Sequence, residues 1–445
     1  MGSSRRHSLV TINRRRFLAS AGLTACTGVM ARLAPPSLVS ATRVGVTGKT
    51  AFTNWDAVRA QFNLASEKIN MTCLWHASHP KPVREAIEQH RRGLDECPYE
   101  YFHANAARLE TDVRVTAAEY LNAKPDDFAM TGSTTEGLAI VYTGLKLFPG
   151  QEILSTEQDH IVTQRSLKYR FERGGTLVRT ISLYERSETV TEEQVIEAIL
   201  RGLTPRTRVV AVTWVHSSTG VKIPVGGIAQ ALARVNAGRA EEDQVLLCVD
   251  GVHGLGVEDF TAADLGCDFF IAGCHKWLFG PRGTGLIWGS KRAWTNLIPT
   301  IASIDELWRL ERYEREPPTA WITPGGFHDF EHRWALAEAF RFHLRIGKAQ
   351  VAARIHELNR QCKEGLAKMR HVRLQTPMSD NLSAGMVCFE IGGLTPDQAV
   401  GRLKERGIMA STTPPYKYEY ARLAPSLWNT PEEVDTTLRA IRSIV

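Results

Sequence analysis

The spacing of apolar residues changes character twice along the 445-residue chain. Residues 50–125 read mostly as helix, with helical patterning over 82–92 and a longer amphipathic stretch over 104–121. From residue 128 to about 290 short apolar runs of strand length take over, at 127–130, 152–155, 177–182, 207–215, 244–249, 268–272 and 285–288. Helical stretches separate several of them, at 191–203 and 225–235. Strands alternating with helices predict an α/β domain around a mostly parallel sheet. After Pro324 a long helical pattern covers 332–370. Short runs at 372–376 and 386–391, a helix over 396–406 and a last helix over 431–445 predict a smaller α+β domain. The expected order is a helical segment (42–125), a large domain (126–325), then an interdomain helix and a small C-terminal domain (326–445). A chain of this length exceeds what one hydrophobic core usually supports. No apolar run after residue 40 is long enough to span a membrane.

Residues 1–41 stand apart, with six arginines, no lysine and no acid. Asn13-Arg14-Arg15-Arg16-Phe17-Leu18 is followed by small and apolar residues through Val29. The segment resembles a twin-arginine export signal, which implies the twin-arginine translocation machinery as a partner and a periplasmic location. A basic tail with no signal function is the alternative. Val39-Ser40-Ala41 offers a cleavage site, and Leu23-Thr24-Ala25-Cys26 looks like a lipid-attachment motif at Cys26, with a short apolar stretch before it. The charge balance follows from this segment. Of 54 basic residues against 48 acidic, removal of the six arginines leaves 48 against 48. No global positive field remains to draw the chain to nucleic acid or an anionic membrane. The seven cysteines after residue 41 fit neither a zinc site nor a disulfide framework, and no metal is expected. Several lie in strand-like runs, where cysteine acts as a small hydrophobe.

The chemistry concentrates in residues 245–288. A buried-looking strand ends in Asp250-Gly251-Val252-His253, and a second runs into Gly273-Cys274-His275-Lys276-Trp277. In open α/β sheets, ligands bind beyond the carboxyl ends of strands, so Asp250 and Lys276 can converge on one crevice. A strand-end lysine that carries an aldehyde as a Schiff base, beside a carboxylate that keeps a pyridine nitrogen protonated, is the pair that pyridoxal 5'-phosphate (PLP) chemistry needs. Glycines and a proline after Lys276 allow tight turns and close backbone approach.

With these two motifs in this order, the chain resembles the class V aminotransferase family, PLP enzymes of fold type I, over roughly residues 55–445. The resemblance implies catalytic roles for Lys276 and Asp250. It places the cofactor phosphate on Ser133, Thr134 and Thr135 of Thr131-Gly132-Ser133-Thr134-Thr135-Glu136-Gly137, where a helix start with free amides suits an anion. A plain N-cap would use the same residues. His160 is expected to stack on the pyridine, His253 to sit near the phenolate oxygen, and Cys274 and His275 to lie by the phosphate. Trp321-Ile322-Thr323-Pro324-Gly325-Gly326-Phe327 resembles the loop that reaches the phosphate of a second subunit, so Gly325 and Gly326 imply a homodimer with shared active sites. Arg422 matches the arginine that grips the α-carboxylate of an amino-acid substrate, a pairing guanidinium geometry favours; a surface ion pair is the alternative. Tyr99 and Tyr101 are candidates for the substrate mouth or for plain packing.

Cysteine desulfurases carry a nucleophilic cysteine shortly before that arginine. The corresponding residues 410–416 contain none. The Cys274-His275-Lys276-Trp277 string is more like isopenicillin N epimerase and its relatives, among them an exported enzyme that tailors the siderophore pyoverdine. The expectation is an exported PLP enzyme acting at the α-amino group or Cα of an amino acid or amino-acid-bearing metabolite, aminotransferase- or epimerase-like. Lyase or decarboxylase chemistry on a siderophore-type peptide, and a non-catalytic PLP-fold binding protein, are the alternatives.

Overall fold

The computed structural model describes residues 52, 54–303, 318–414, 416 and 418–444. The export-signal reading of residues 1–41, with Cys26, lies outside the described residues.

Seven strands form the main sheet: β1 (Phe128–Thr131), β2 (Glu152–Thr156), β3 (Leu177–Ile181), β4 (Thr207–Thr213), β5 (Leu246–Asp250), β6 (Phe269–Gly273) and β7 (Gly285–Gly289). Their spatial order is β1-β7-β6-β5-β4-β2-β3. Only β7 runs against its neighbours β1 and β6; the remaining pairings are parallel. The chain therefore has the mostly parallel α/β architecture of fold type I.

The uninterrupted apolar runs of β4, β5 and β6 reflect burial on both faces, as expected where helices cover each side of a sheet. Side chains alternate across the sheet. Val210, Val212, Leu247, Val249, Phe270 and Ala272 enter one core, while Val209, Ala211, Leu246, Cys248, Phe269 and Ile271 enter the other. The edge strand β3 is the exception, half exposed along its length.

A four-stranded antiparallel sheet follows, in the order Ser411–Thr412, Ala421–Leu423, Val387–Ile391, Val372–Leu374. The strand pair at 411–412 and 421–423 was not anticipated from the sequence, because two- and three-residue strands are too short to show a period. Ile69–Asn70 pairs in parallel with Ile408–Met409 in a separate two-stranded sheet, which ties the amino-terminal segment to the carboxy-terminal region.

The single long helix expected over 332–370 is two helices, Phe330–Ile346 and Lys348–Ala367. Gly347 separates them at φ 99°, a conformation open to glycine and rare for other residues, so the helix cannot continue through it. The first of the two packs on the expected amino-terminal helices, Lys81–Glu96 and Pro98–Leu121.

Candidate active site

The carboxyl ends of β1, β2, β4, β5 and β6 face one edge of the sheet, and each delivers a polar side chain there. β5 ends in Asp250, whose side chain is buried and whose carboxylate accepts the Val252 N–H at 3.2 Å. Lys276 lies three residues beyond β6. Its Nζ is 3.3 Å from His253 Nε2. Burial raises the Asp250 pKa above the usual carboxylate range, against the pull of Lys276. Burial likewise lowers the lysine, with Asp250 drawing it back up and Arg422 pushing it further down. Removing charges from water is the larger effect on both partners.

After β1, Ser133 caps the helix Thr134–Gly144, accepting the Glu136 N–H at 3.1 Å. The amides of Thr134 and Thr135 begin the helix with no protein acceptor among the described residues, as the first turn of a helix dictates. Thr134 Oγ1 accepts the Gly273 N–H at 2.7 Å and so pins this helix start to the strand that carries Lys276. A Cβ on Gly273 would sit 2.9 Å from that hydroxyl and from His275 Cε1, so this position needs glycine. The His275 ring thus lies beside Thr134, its pKa pushed down to about 4 mainly by burial. Thr135 points into solvent while Ser133 and Thr134 are half buried.

Beyond β2, Asp159 is buried and accepts three hydrogen bonds, from Ser155 Oγ (2.9 Å), Thr156 N–H (2.7 Å) and Thr213 N–H (2.7 Å). This carboxylate staples β2 to β4 and fixes the next residue, His160. His160 caps the helix Ile161–Gly174 by accepting the Val162 N–H at Nδ1. Burial, and then the positive charges of Lys276 and Arg422, bring its pKa to about 4, so the ring is neutral.

Arg422 comes from the four-stranded sheet and is only 1 % exposed. Its Nη1 donates to the Ser217 carbonyl at 2.9 Å and Nη2 to the Thr412 carbonyl. Nε is buried without a hydrogen-bond acceptor. Among the described residues no carboxylate pairs with this cation. The Trp75 ring covers it, with the guanidinium carbon 5.8 Å from the ring centroid. Tyr416 completes this end, its hydroxyl 2.8 Å from Ser217 Oγ and its ring 6.4 Å from that of His160.

Lys276, Asp250, His253, His160, His275, Ser133, Thr134 and Arg422 thus belong to one crevice. Cys274 departs from expectation. Just past β6 it joins Phe270 and Ala272 in the main core, against Gly280 and Leu336, where burial pushes its thiol far up. Its side chain is not by the helix start that His275 faces. Gly325 and Gly326 are half buried, in a loop where Thr323 Oγ1 accepts the Met130 N–H, His328 Nδ1 lies 3.2 Å from the Gly326 carbonyl and Phe327 packs on Phe330. Tyr101 packs its ring on Gly93 and bonds His90, and Tyr99 is exposed against His103, so both serve helix packing and surface. Sequence reasoning missed Trp75, Ser217, Tyr416 and the staple Asp159. Ser217 lies just past the end of β4 and was findable by the rule that marked Asp250. Trp75 and Tyr416 come from distant loops and left no local signal.

The residues fit PLP. Asp250 offers a buried carboxylate to a basic ring nitrogen, Lys276 an amine whose charge burial disfavours to an aldehyde, and the Thr134–Gly144 helix start free amides to a phosphate. The fold and this crevice define a PLP-dependent enzyme of fold type I. The sequence model of the class-V aminotransferases matches residues 78–414, and the chain belongs to that family. It is 25% identical over 408 residues to isopenicillin N epimerase of Streptomyces clavuligerus, covering 88% of this chain and 99% of the relative. It is 26% identical over 424 residues to a probable cysteine desulfurase of Mycolicibacterium paratuberculosis, covering 87% of this chain and 58% of that one. Among solved structures it resembles a mutant of C-DES with glycine covalently linked to the PLP cofactor, at TM-score 0.77 and 22% identity, over 86% of this chain and 99% of that one. An apo cysteine desulfurase from Thermococcus onnurineus matches at TM-score 0.73 and 22% identity, over 88% and 98% of the two chains.

Proposed function

We propose that this chain acts at Cα of an α-amino acid or amino-acid-bearing metabolite, as an epimerase- or aminotransferase-like enzyme. The observation that carries the reading is Arg422, a buried cation in the same crevice as Lys276 and Asp250, with no carboxylate partner among the described residues. A buried unpaired charge is costly, and a substrate carboxylate would neutralise it. Bound PLP supplies an electron sink for negative charge at Cα. Lys276 would hold the cofactor's aldehyde end, and its amine would carry the proton at Cα. Asp250 would keep the ring nitrogen protonated. Ser133, Thr134 and His275 would hold the phosphate end, and Arg422 would orient the substrate carboxylate under Trp75. Persulfide chemistry is disfavoured by the cysteine-free segment before Arg422. Cys388, which pairs with Arg422 across the sheet, is fully buried with its thiol raised to about 12.

The relatedness to isopenicillin N epimerase over nearly its whole length supports inversion at Cα. The export motif in residues 13–18 supports a periplasmic enzyme. The loop at Gly325-Gly326, with Phe327 83 % exposed, supports a dimer in which this loop contributes to the second copy's site.

Absorbance spectra of the purified protein, titrated with amino acids one at a time, test the reading. A spectral change with one amino acid, followed by formation of its enantiomer or keto acid, is expected. An absorbance that no amino acid alters would overturn the enzymatic reading in favour of a binding protein. Cell fractionation of the full chain beside an Arg14→Lys, Arg15→Lys variant tests export.

A further inference from the structure

His253 stands between two nitrogens. Its Nε2 lies 3.3 Å from Lys276 Nζ, and its Nδ1 lies 3.2 Å from Trp277 Nε1. An indole nitrogen is a donor only. Trp277 therefore presents an N–H to Nδ1, and Nδ1 must offer its lone pair. The imidazole is buried, and burial, with the nearby charges of Lys276 and Arg422, holds its pKa well below the ordinary histidine value and so favours the neutral ring. A neutral imidazole carries one hydrogen, so with Nδ1 unprotonated the hydrogen sits on Nε2, facing Lys276.

Trp277 has little freedom to do otherwise. Its side chain is fully buried in the main core. Its six-membered ring lies so close to Gly385 that a Cβ there would be 2.6 Å away, and a Cβ on Gly256 would be 2.5 Å from the Trp277 backbone carbon. Gly385, just ahead of the strand Val387–Ile391, leaves room for the indole ring, and Gly256 leaves room for the Trp277 backbone.

We propose that Trp277 is a positioning residue that locks His253 in its Nε2–H tautomer, making the imidazole a hydrogen-bond donor toward Lys276 and never a base. An N–H directed at Nζ accepts nothing from an ammonium but satisfies the lone pair of a free amine. The arrangement therefore favours the uncharged lysine that must attack an aldehyde. The other groups facing Nζ are Asp250, which favours the ammonium, Arg422, which opposes it, and the buried Cys73. His160 and His275 are neutral. The tautomer is a property of the chain alone; its consequence for cofactor uptake rests on the reading of Lys276 as the cofactor's lysine.

The test is solid-state 15N NMR of histidine-labelled full-length protein, with and without PLP, with His253→Gln to assign the resonance. The expected result is an unprotonated Nδ1 and a protonated Nε2. An unprotonated Nε2 overturns the proposal, and this measurement needs no variant of Trp277 to fold. The second arm follows PLP uptake by absorbance against pH in Trp277→Phe, which keeps an aromatic ring and loses the donor. The histidine can then turn a lone pair toward the ammonium, and the uptake profile moves to higher pH by ~1 unit, about tenfold slower at pH 7. A profile that overlays wild type, in a variant with unchanged circular dichroism, also overturns it. Lys276→Ala separates the two readings. If that variant takes up PLP with the wild-type spectrum, the assignment of Lys276 fails while the 15N result stands.

Discussion

At the Asp250–Lys276 end of the crevice, opposite charges come from adjacent strands of one sheet, and each moderates the cost of burying the other. At the Arg422 end, a cation from a different sheet is held by two backbone carbonyls, one after β4 and one at Thr412, with no carboxylate paired to it among the described residues. The first end is complete within the chain. The second is built with a charge left over, at a cost in folding stability that substrate binding would recover. A site for a resident cofactor and a site for a passing carboxylate are thus distinguishable by whether the protein supplies its own counter-charge.

The largest expected effect that would break this contrast is at Lys276. Lys276→Ala is expected to lose the absorbance of covalently held cofactor and at least about a thousandfold in turnover. Arg422→Ala is expected to lower kcat/KM by about 2–5 kcal/mol while the cofactor spectrum stays as in wild type. Arg422→Met, which removes the unpaired cation and keeps the volume, is expected to leave the apoprotein as stable as wild type or more so in urea unfolding. A clear loss of stability would mean that the guanidinium is satisfied by the protein after all.

The pH dependence of stability sharpens the picture for the fold as a whole. Burial depresses His79, His90, His160, His216, His253, His275 and His343, three of them to about 4 and two to about 3. Between those values and the ordinary 6.5 the unfolded chain binds more protons than the folded one, so stability falls as pH drops through this window. Asp159 and Asp250, raised by burial, act in the opposite direction, since their folded forms hold protons that the unfolded chain has released. Seven histidines against two carboxyls predict a net loss on the order of a few kcal/mol from pH 6.5 to 4, read from urea midpoints at each pH. A midpoint that rises on acidification would mean that the carboxyls dominate.

Smaller effects test the supports. Asp159→Asn turns an amide N–H against a backbone donor, Thr156 or Thr213, and is expected to cost about 1–3 kcal/mol in urea unfolding. Trp75→Ala removes the ring over Arg422 and is expected to weaken KM by about 0.5–2 kcal/mol with kcat nearly unchanged.

Much of the cofactor end was legible in the residues themselves. Asp250 and Lys276 follow apolar runs of strand length, and a parallel sheet sends the ends of such runs to one edge. The Ser133 cap could be read because a helix start is a local event. What sequence reasoning got wrong or passed over has equally physical causes. Cys274 was placed with its neighbours, yet it joins the main core just past β6. The break at Gly347 was read through, because one glycine does not interrupt a helical period on paper. Trp75, Ser217 and Tyr416 assemble around Arg422 from three separate loops, and no spacing encodes that meeting.

By itself the sequence determined the alternation of strands and helices, the order of the motifs and the family, since these rest on local periodicity and on residues close along the chain. Only the tertiary structure decided that Arg422 is buried without a counter-ion among the described residues, that Asp159 staples β2 to β4, and that Trp277 faces His253. Those facts depend on which distant groups share a dielectric environment, and packing alone sets that.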